Sequence, residues 1–286
     1  MSVDIEALRK HLGTKITEED VATLAPLKGM IVTFDRDEAP PGQGEAIAPG
    51  WHLAYFLTAS RKATLGADGL PTTGGVLPEM PFPRRMYAGT SLTFHDALRV
   101  GDALTRETAF TDIALRPGST GPLIFTTQTR RIFTPRGLAI IEESHTVFRG
   151  EVQPGEKSGI PKRNAPPADI AWRQTITVDP VSLFRYSALT FNPHRIHYDR
   201  PYAMQVEGYP GLVVHGPYTQ QCLIDLARDN APGRTLQSFT LRARAPLFDT
   251  APFSVVGRPV DGGNGAELWA VTPEGSIAIQ VVARFS

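Results

Sequence analysis

Residues 184–225 read FRYSALTFNPHRIHYDRPYAMQVEGYPGLVVHGPYTQQCLID, and three of the chain's seven histidines (His194, His197, His215) fall within this stretch. An Asn-Pro turn, a Gly-Tyr-Pro-Gly turn and an apolar run that breaks at His-Gly-Pro separate them. The residues after this break predict a helix. Pro217 suits a first helical position, where its missing N–H costs nothing. Tyr218, Cys222 and Leu226 recur at helical spacing, and Leu223 and Ile224 widen the apolar stripe. A helix start of this kind presents free N–H groups and the positive end of the helix dipole. It accepts a phosphate, a carboxylate or a developing oxyanion. Histidines a short distance upstream supply groups that move protons near neutral pH. The stretch therefore reads as an active site.

The surrounding chain narrows the class. It has 286 residues, enough for one large domain or two of ordinary size. The 29 acidic and 29 basic residues balance, so net charge favours neither nucleic acid nor an anionic membrane surface. A single cysteine, Cys222, excludes an internal disulfide and suits a reducing compartment. Its helical, apolar setting reads as packing. MSVDIEALRKHLG carries no apolar secretory core, and no apolar run approaches bilayer length. The expectation is a soluble, cytoplasmic protein with no nucleic-acid or membrane partner.

Upstream, residues 4–12 predict a short amphipathic helix. Thr17 to Leu24 carries a capping-box pattern, Thr17 with Asp20, and predicts a second. Trp51 to Thr58 fits helix or buried strand equally. Gly66 to Arg85 is a long Gly/Pro-rich crossing loop. From Tyr87 the apolar period changes to two: strand, turn at Gly101-Asp102, strand, then a hairpin of Leu123–Phe133 and Leu138–Phe148. Residues 150–167 have linker composition. Trp172–Val178 predicts a strand, Asp179-Pro180 opens a helix, and the chain ends in strands.

The two halves repeat each other. Ser91-Leu-Thr-Phe matches Ser238-Phe-Thr-Leu, Asp102 matches Asp249, and Thr134-Pro-Arg-Gly matches Thr272-Pro-Glu-Gly, in one order and at nearly one offset. That pattern indicates a duplicated domain. Each copy would be an antiparallel sheet curled around a helix, the two paired edge to edge so that open edges are protected.

FNPHRIHYD with GYPGLVVHGP resembles the MaoC-like (R)-specific enoyl-CoA hydratases and hydroxyacyl-thioester dehydratases. It looks closest to their two-hotdog branch, which includes itaconyl-CoA and mesaconyl-CoA hydratases. LGADGLP, PRRMYAG and GSTGPL in the first half are similar to that branch as well. The resemblance implies an α+β double hotdog. A degenerate, substrate-supporting domain would span 1–150, a linker 151–168, and the domain with the hydratase motif 169–286. The single-hotdog members carry an Asp two residues before the Asn and a His three residues after it. Here those positions hold Thr190 and Arg195, and His197 with Asp199 stand two residues later.

Hydrating an enoyl thioester requires deprotonation of the water that attacks the β-carbon, protonation of the α-carbon, and a donor for the charge that collects on the thioester oxygen. His197 is assigned as the acid/base and the Gly216 N–H as the oxyanion donor. Asn192 would fix the water or the imidazole, or else form an Asx turn before proline. His194 is a second water-positioning candidate and Thr190 a stand-in for the missing carboxylate. Asp199 caps or orients, His215 bonds structurally beside Gly216, and Tyr186 and Tyr209 either line the acyl pocket or serve as packing. Coenzyme A is polyanionic, so Arg84, Arg85, Arg195 and Arg242 are substrate-binding candidates, with Arg200 and Arg244 behind them.

The leading expectation is reversible hydration of a short enoyl-CoA, a branched C5 dicarboxylic one such as itaconyl- or mesaconyl-CoA giving a citramalyl-CoA-type product. No metal and no cofactor beyond the substrate's own coenzyme A is implied. A homodimer is compatible, although a duplicated hotdog already forms a pseudo-dimer. The alternatives are a fatty-acid-type (R)-3-hydroxyacyl thioester dehydratase, a metal enzyme using His194, His197 and His215, and a non-catalytic thioester-binding module.

Overall fold

The matched segments Ser91–Phe94 and Ser238–Leu241 lie against each other. Leu92 faces Phe239 across an antiparallel pair, so the two copies meet about a local twofold at that point. The computed structural model describes residues 3–57, 60–72, 75–118, 121–150 and 164–286. Thr58 and the 151–163 part of the expected linker lie outside those residues.

Ten strands form one sheet. From the outer edge of the first half they run β1 (Lys15–Val21), β3 (Ala103–Gly118), β4 (Gly121–Thr134), β5 (Gly137–Arg149) and β2 (Arg84–Phe94). The sheet continues through β7 (Leu236–Ala243), β10 (Ile277–Phe285), β9 (Gly265–Val271), β8 (Phe253–Val260) and β6 (Trp172–Ile176). Counted from its own outer edge, each half has its strands in the same order: first, third, fourth, fifth, second. The β2–β7 pairing hides both inner edges. Turns at Thr134–Gly137 and Thr272–Gly275 both use a glycine at positive φ, Gly137 at 117° and Gly275 at 83°, where a Cβ would be strained.

Among the described residues four α-helices accompany the sheet: α1 (Ile5–Arg9), α2 (Leu24–Thr33), α3 (Pro180–Leu189) and α4 (Gly216–Asp229). Asp179 caps α3 by accepting from the Ser182 N–H at 2.7 Å, with Pro180 at its first turn. Helix α4 is buried from Tyr218 through Ala227, as a helix wrapped by a curled sheet must be. Its internal polar groups are paired: the Gln221 amide donates to Asp225 at 2.9 Å, and Arg228 donates to the same carboxylate at 3.0 Å. Between α2 and β2 of the first half the described residues form two 3₁₀ turns, Trp51–Ala54 and Lys62–Thr64, and no α-helix. One apolar core runs through both halves, from Leu92, Ile132 and Ile140 to Leu223, Phe239 and Val281.

The capping pattern at Thr17–Asp20 misleads. Residues 15–21 are β1, paired with β3 through Glu18 opposite Arg106, and the Glu18 carboxylate accepts from that guanidinium at 2.6 Å. Cross-strand pairing overrides the local helix signal. The helix begins later, after Thr23, whose side chain makes no capping bond.

Candidate active site

The Asn-Pro turn is built by the end of α3. The Thr190 hydroxyl donates back to the Tyr186 carbonyl at 2.8 Å, Phe191 takes a left-handed φ of 49°, and the Asn192 N–H donates to the Ser187 carbonyl at 2.8 Å. The Asn192 side-chain oxygen then accepts the His194 N–H at 3.0 Å, an Asx turn. Its amide N–H₂ keeps no protein acceptor among the described residues. A 3₁₀ turn at Arg195–His197 comes next and turns the His197 ring inward.

That ring is held from one side. His197 Nδ1–H donates to the Val213 carbonyl at 2.8 Å, which leaves Nε2 as the unprotonated, accepting nitrogen. Nε2 has no hydrogen-bond partner among the described residues and is not sealed from solvent. The ring of His215, the residue before Gly216, stacks on His197 with centroids 3.7 Å apart. His215 is fully buried, with Nε2 hydrogen-bonded to Ser187 Oγ at 2.8 Å. His194 stands edge-on to His197 at 5.5 Å.

Burial pushes the imidazoles toward their neutral forms. His197 is lowered from 6.5 to about 3, by desolvation against the favourable bond to Val213, with His194 adding to the shift. His194 falls to about 4, through burial and the neighbouring Arg85. As the pH falls from neutral, the unfolded chain protonates first. The stability of neutral, buried His197 is therefore intact above the unfolded value of 6.5 and is lost as pH drops towards about 3. The limiting slope is about 1.4 kcal/mol per pH unit. Urea midpoints measured at about pH 7 and about pH 4.5 should fall accordingly, and fall less in His197→Gln.

Gly216 opens α4, and its N–H has no acceptor among the described residues. A Cβ at Gly216 would lie 2.3 Å from Cδ1 of Tyr87, so only glycine fits beneath that ring. Tyr87 belongs to β2 of the first half. Its hydroxyl bonds Thr90 at 2.7 Å and Gln220 of α4 at 3.1 Å. Tyr87, Gln220 and Pro217 line a cavity of about 610 Å³ that also borders Thr190, Asn192 and Tyr186. The cavity is thus shared between the halves, with the Asn-Pro turn and the start of α4 on one wall and the first half's sheet on the other.

The expected arginines separate on inspection. Arg85 lines the cavity, with no ion-pair partner among the described residues. Arg84 does not: its guanidinium is bound to Glu207 at 2.6 Å. Arg195 is bound to Asp199 at 2.8 Å, donates to the Ala67 carbonyl at 2.9 Å and covers the Tyr202 ring at 4.1 Å. It fastens the crossing loop to the Asn-Pro turn. The same contact explains Gly69, whose absent Cβ would meet the Pro193 carbonyl oxygen at 2.1 Å. Arg242 is exposed on β7, and Arg200 is bound to Asp249, so neither borders the cavity. Asp199 caps the turn at Tyr202 by accepting its N–H at 3.1 Å. Thr190 spends its hydroxyl proton on Tyr186, so it can accept from a water but not donate to one. Tyr186 lines the cavity with its hydroxyl sealed and unpaired, whereas Tyr209 packs on Phe248 at 5.8 Å.

Sequence reading missed the opposite wall: His52, Tyr87, Thr90, Arg106, Gln128, Arg130, Glu142 and Ser144. The available signal was Glu142, a charge at an inward position of a strand between Ile140 and Ser144.

The three clustered histidines do not converge on a point. Two of the rings stack face to face, and among the described residues no group of three or more His, Cys, Asp or Glu is arranged to hold a metal ion. Among those residues no helix is long and apolar enough to cross a membrane.

The hydroxyacyl-thioester dehydratase type 2 family model matches residues 50–249, which include the described cavity lining and both motifs of the candidate site. Mesaconyl-C(4)-CoA hydratase of Chloroflexus aurantiacus is 41% identical over 272 residues, 95% of either chain. Among solved structures, a MaoC-like dehydratase of Phytophthora capsici superposes with a TM-score of 0.68 at 16% identity, covering 99% of both chains. A Mycobacterium tuberculosis protein described as a double hotdog superposes at 0.57 with 13% identity, covering 96% of both. The strand order, the shared cavity and these likenesses agree: the chain belongs to the hydroxyacyl-thioester dehydratase type 2 family, MaoC-like hydro-lyases of the hotdog fold.

Proposed function

We propose that this chain adds water reversibly to a short enoyl-CoA, a branched C5 dicarboxylic one of the mesaconyl- or itaconyl-CoA kind, giving a citramalyl-CoA-type product. One observation carries the reading. The His197 ring, its tautomer fixed by the Val213 carbonyl, lies stacked on the residue that precedes Gly216. A base and an oxyanion donor are thereby close to each other. They do not themselves line the cavity of about 610 Å³, but Asn192 and Pro193 of the same turn and Pro217, next to Gly216, do, and that volume suits a short acyl group.

The steps derive from that placement. His197 Nε2 takes a proton from a water held by the Asn192 amide while the water oxygen bonds to the β-carbon. The electron pair of the alkene moves to the thioester carbonyl, whose oxygen is met by the Gly216 N–H at the positive end of α4. The imidazolium returns a proton to the α-carbon, so the net change is addition of one water. His194, half-buried and edge-on to His197, holds that water from a second side. In this reading residues 169–286 supply the chemistry and residues 1–150 supply the far wall of the acyl site. Arg85 at the cavity, next to His194, is placed to meet an anionic part of the ligand.

The name of the 41% identical relative supports the dicarboxylic acyl group. So does the polar far wall, since a long alkyl chain would strip water from buried charges without replacing it. The test is a panel of short enoyl-CoA esters with purified protein, monitored by loss of the absorbance of the conjugated thioester. Turnover is expected, fastest for a C5 dicarboxylic ester; no turnover of any member would overturn the proposal.

A further inference from the structure

In the second half, Ala266 and Leu268 on β9 and Val281 and Ala283 on β10, each no more than 1% exposed, belong to the same apolar core as Leu223 and Ile224 of α4. Counted back from the matched turns at Thr134 and Thr272, Gln128 and Arg130 on β4 stand where Ala266 and Leu268 stand on β9. Their cross-strand partners are Ser144 and Glu142, as Ala283 and Val281 are for the other pair. Among the described residues the first half has no α-helix between α2 and β2, and its four residues line the cavity instead. An apolar helix seat has become a polar floor.

The floor is held from behind. Both oxygens of the buried Glu142 are engaged, Oε1 by Arg130 Nη1 at 2.6 Å and Oε2 by His52 Nε2 at 3.2 Å. Arg106 is fixed by Glu18 and by the Phe56 carbonyl. Burial alone would raise the Glu142 carboxyl, yet Arg130, His52 and Arg106 hold it down at about 2. Arg130 keeps Nε and Nη2, and Arg106 keeps Nη1, without acceptors among the described residues. Described cations lining the cavity are Lys62, Arg85, Arg106 and Arg130, against the single carboxylate Glu142. Half-buried guanidinium groups of this kind, with donors left open at a cavity, suit an anion.

We propose that this floor is a carboxylate subsite: Arg130, positioned by Glu142 and His52 and seconded by Arg106, receives the free carboxylate of a dicarboxylic monothioester. The inference rests on the proposed acyl-CoA site and assigns the residues that select its substrate class. A planar guanidinium matches a carboxylate in two parallel bonds, and the aliphatic pocket of a fatty acyl hydratase would offer neither.

The test is calorimetric binding of succinyl-CoA and butyryl-CoA, which share coenzyme A and chain length and differ by the carboxylate. This separates an acyl carboxylate from a coenzyme A phosphate as the anion on the floor. Wild-type protein should prefer succinyl-CoA by about 10–100-fold, the worth of charge-assisted bonds at a buried site. Arg130→Gln should reduce that preference to within about threefold. The double variant Arg130→Gln, Glu142→Gln keeps a hydrogen-bonded pair without leaving a buried charge alone, and should do the same if the single variant folds poorly. Equal affinity of the wild type for both esters, or an undiminished preference in the double variant, would overturn the subsite. A wild-type preference for succinyl-CoA without hydration of any enoyl-CoA would sink the hydratase proposal and leave the subsite standing. Hydration without the preference would do the reverse.

Discussion

His197→Ala is expected to hydrate a short enoyl-CoA on the order of 10²–10⁴-fold more slowly than wild type, which is the usual worth of a general acid–base group. The imidazole is placed for the task by three contacts. Val213 fixes which nitrogen carries the proton, His215 supports the ring face, and His194 stands at its edge. Most of the loss should appear in kcat, because the proton moves in the transition state and the ring adds little to ground-state binding. Removing a stacked ring also leaves a void against His215, so His197→Ala will lose stability as well. His197→Gln separates the two effects. Its amide N–H can still reach the Val213 carbonyl, but it cannot accept and return a proton. It should melt close to wild type and be nearly as slow as the alanine variant. Steady-state rates within tenfold of wild type for both variants would remove His197 from the chemistry.

Gly216→Ala is the second large effect. The added Cβ would sit 2.3 and 2.6 Å from two carbons of the Tyr87 ring, well inside contact. Tyr87 cannot yield freely, since its hydroxyl is bonded to Thr90 and Gln220. Either the ring or the first turn of α4 must shift. Overpacking of this kind costs about 1–3 kcal/mol. A displaced helix start also moves the N–H away from the oxyanion, and loss of one such donor costs on the order of 10²–10³-fold in kcat. Adding Tyr87→Ala should restore the space. The double variant should regain refolding stability, measured by denaturant midpoint, relative to Gly216→Ala. If the second substitution brings no recovery, the close approach of the two halves at this point is not what requires glycine.

The second half was readable because its chemistry is local. Histidines, turn residues and a Gly-Pro helix start lie within one short stretch, and each acts through neighbours a few positions away, as Asn192 does on His194 and Asp199 on Tyr202. The duplication was readable because turn chemistry repeats at Thr134 and Thr272. The far wall was not, because Arg130, Glu142, His52 and Arg106 come from separate segments and converge only when the strands pair. Glu18 shows the same limit, reading as a first-turn helix acid until Arg106 is placed opposite it. Arg195 shows its converse. A guanidinium beside the clustered histidines suggests substrate, yet its partners are Asp199 and the crossing loop. The sign of a side chain was legible from sequence; its partner was not.

The juxtaposition of His197 and Gly216 across one acyl thioester is decided by a crystal structure with bound butyryl-CoA. The thioester oxygen should lie about 2.7–3.1 Å from the Gly216 nitrogen, with the β-carbon turned toward His197 Nε2 and the acyl end directed at Arg130. An acyl group lodged elsewhere, or a thioester oxygen facing away from α4, would contradict it.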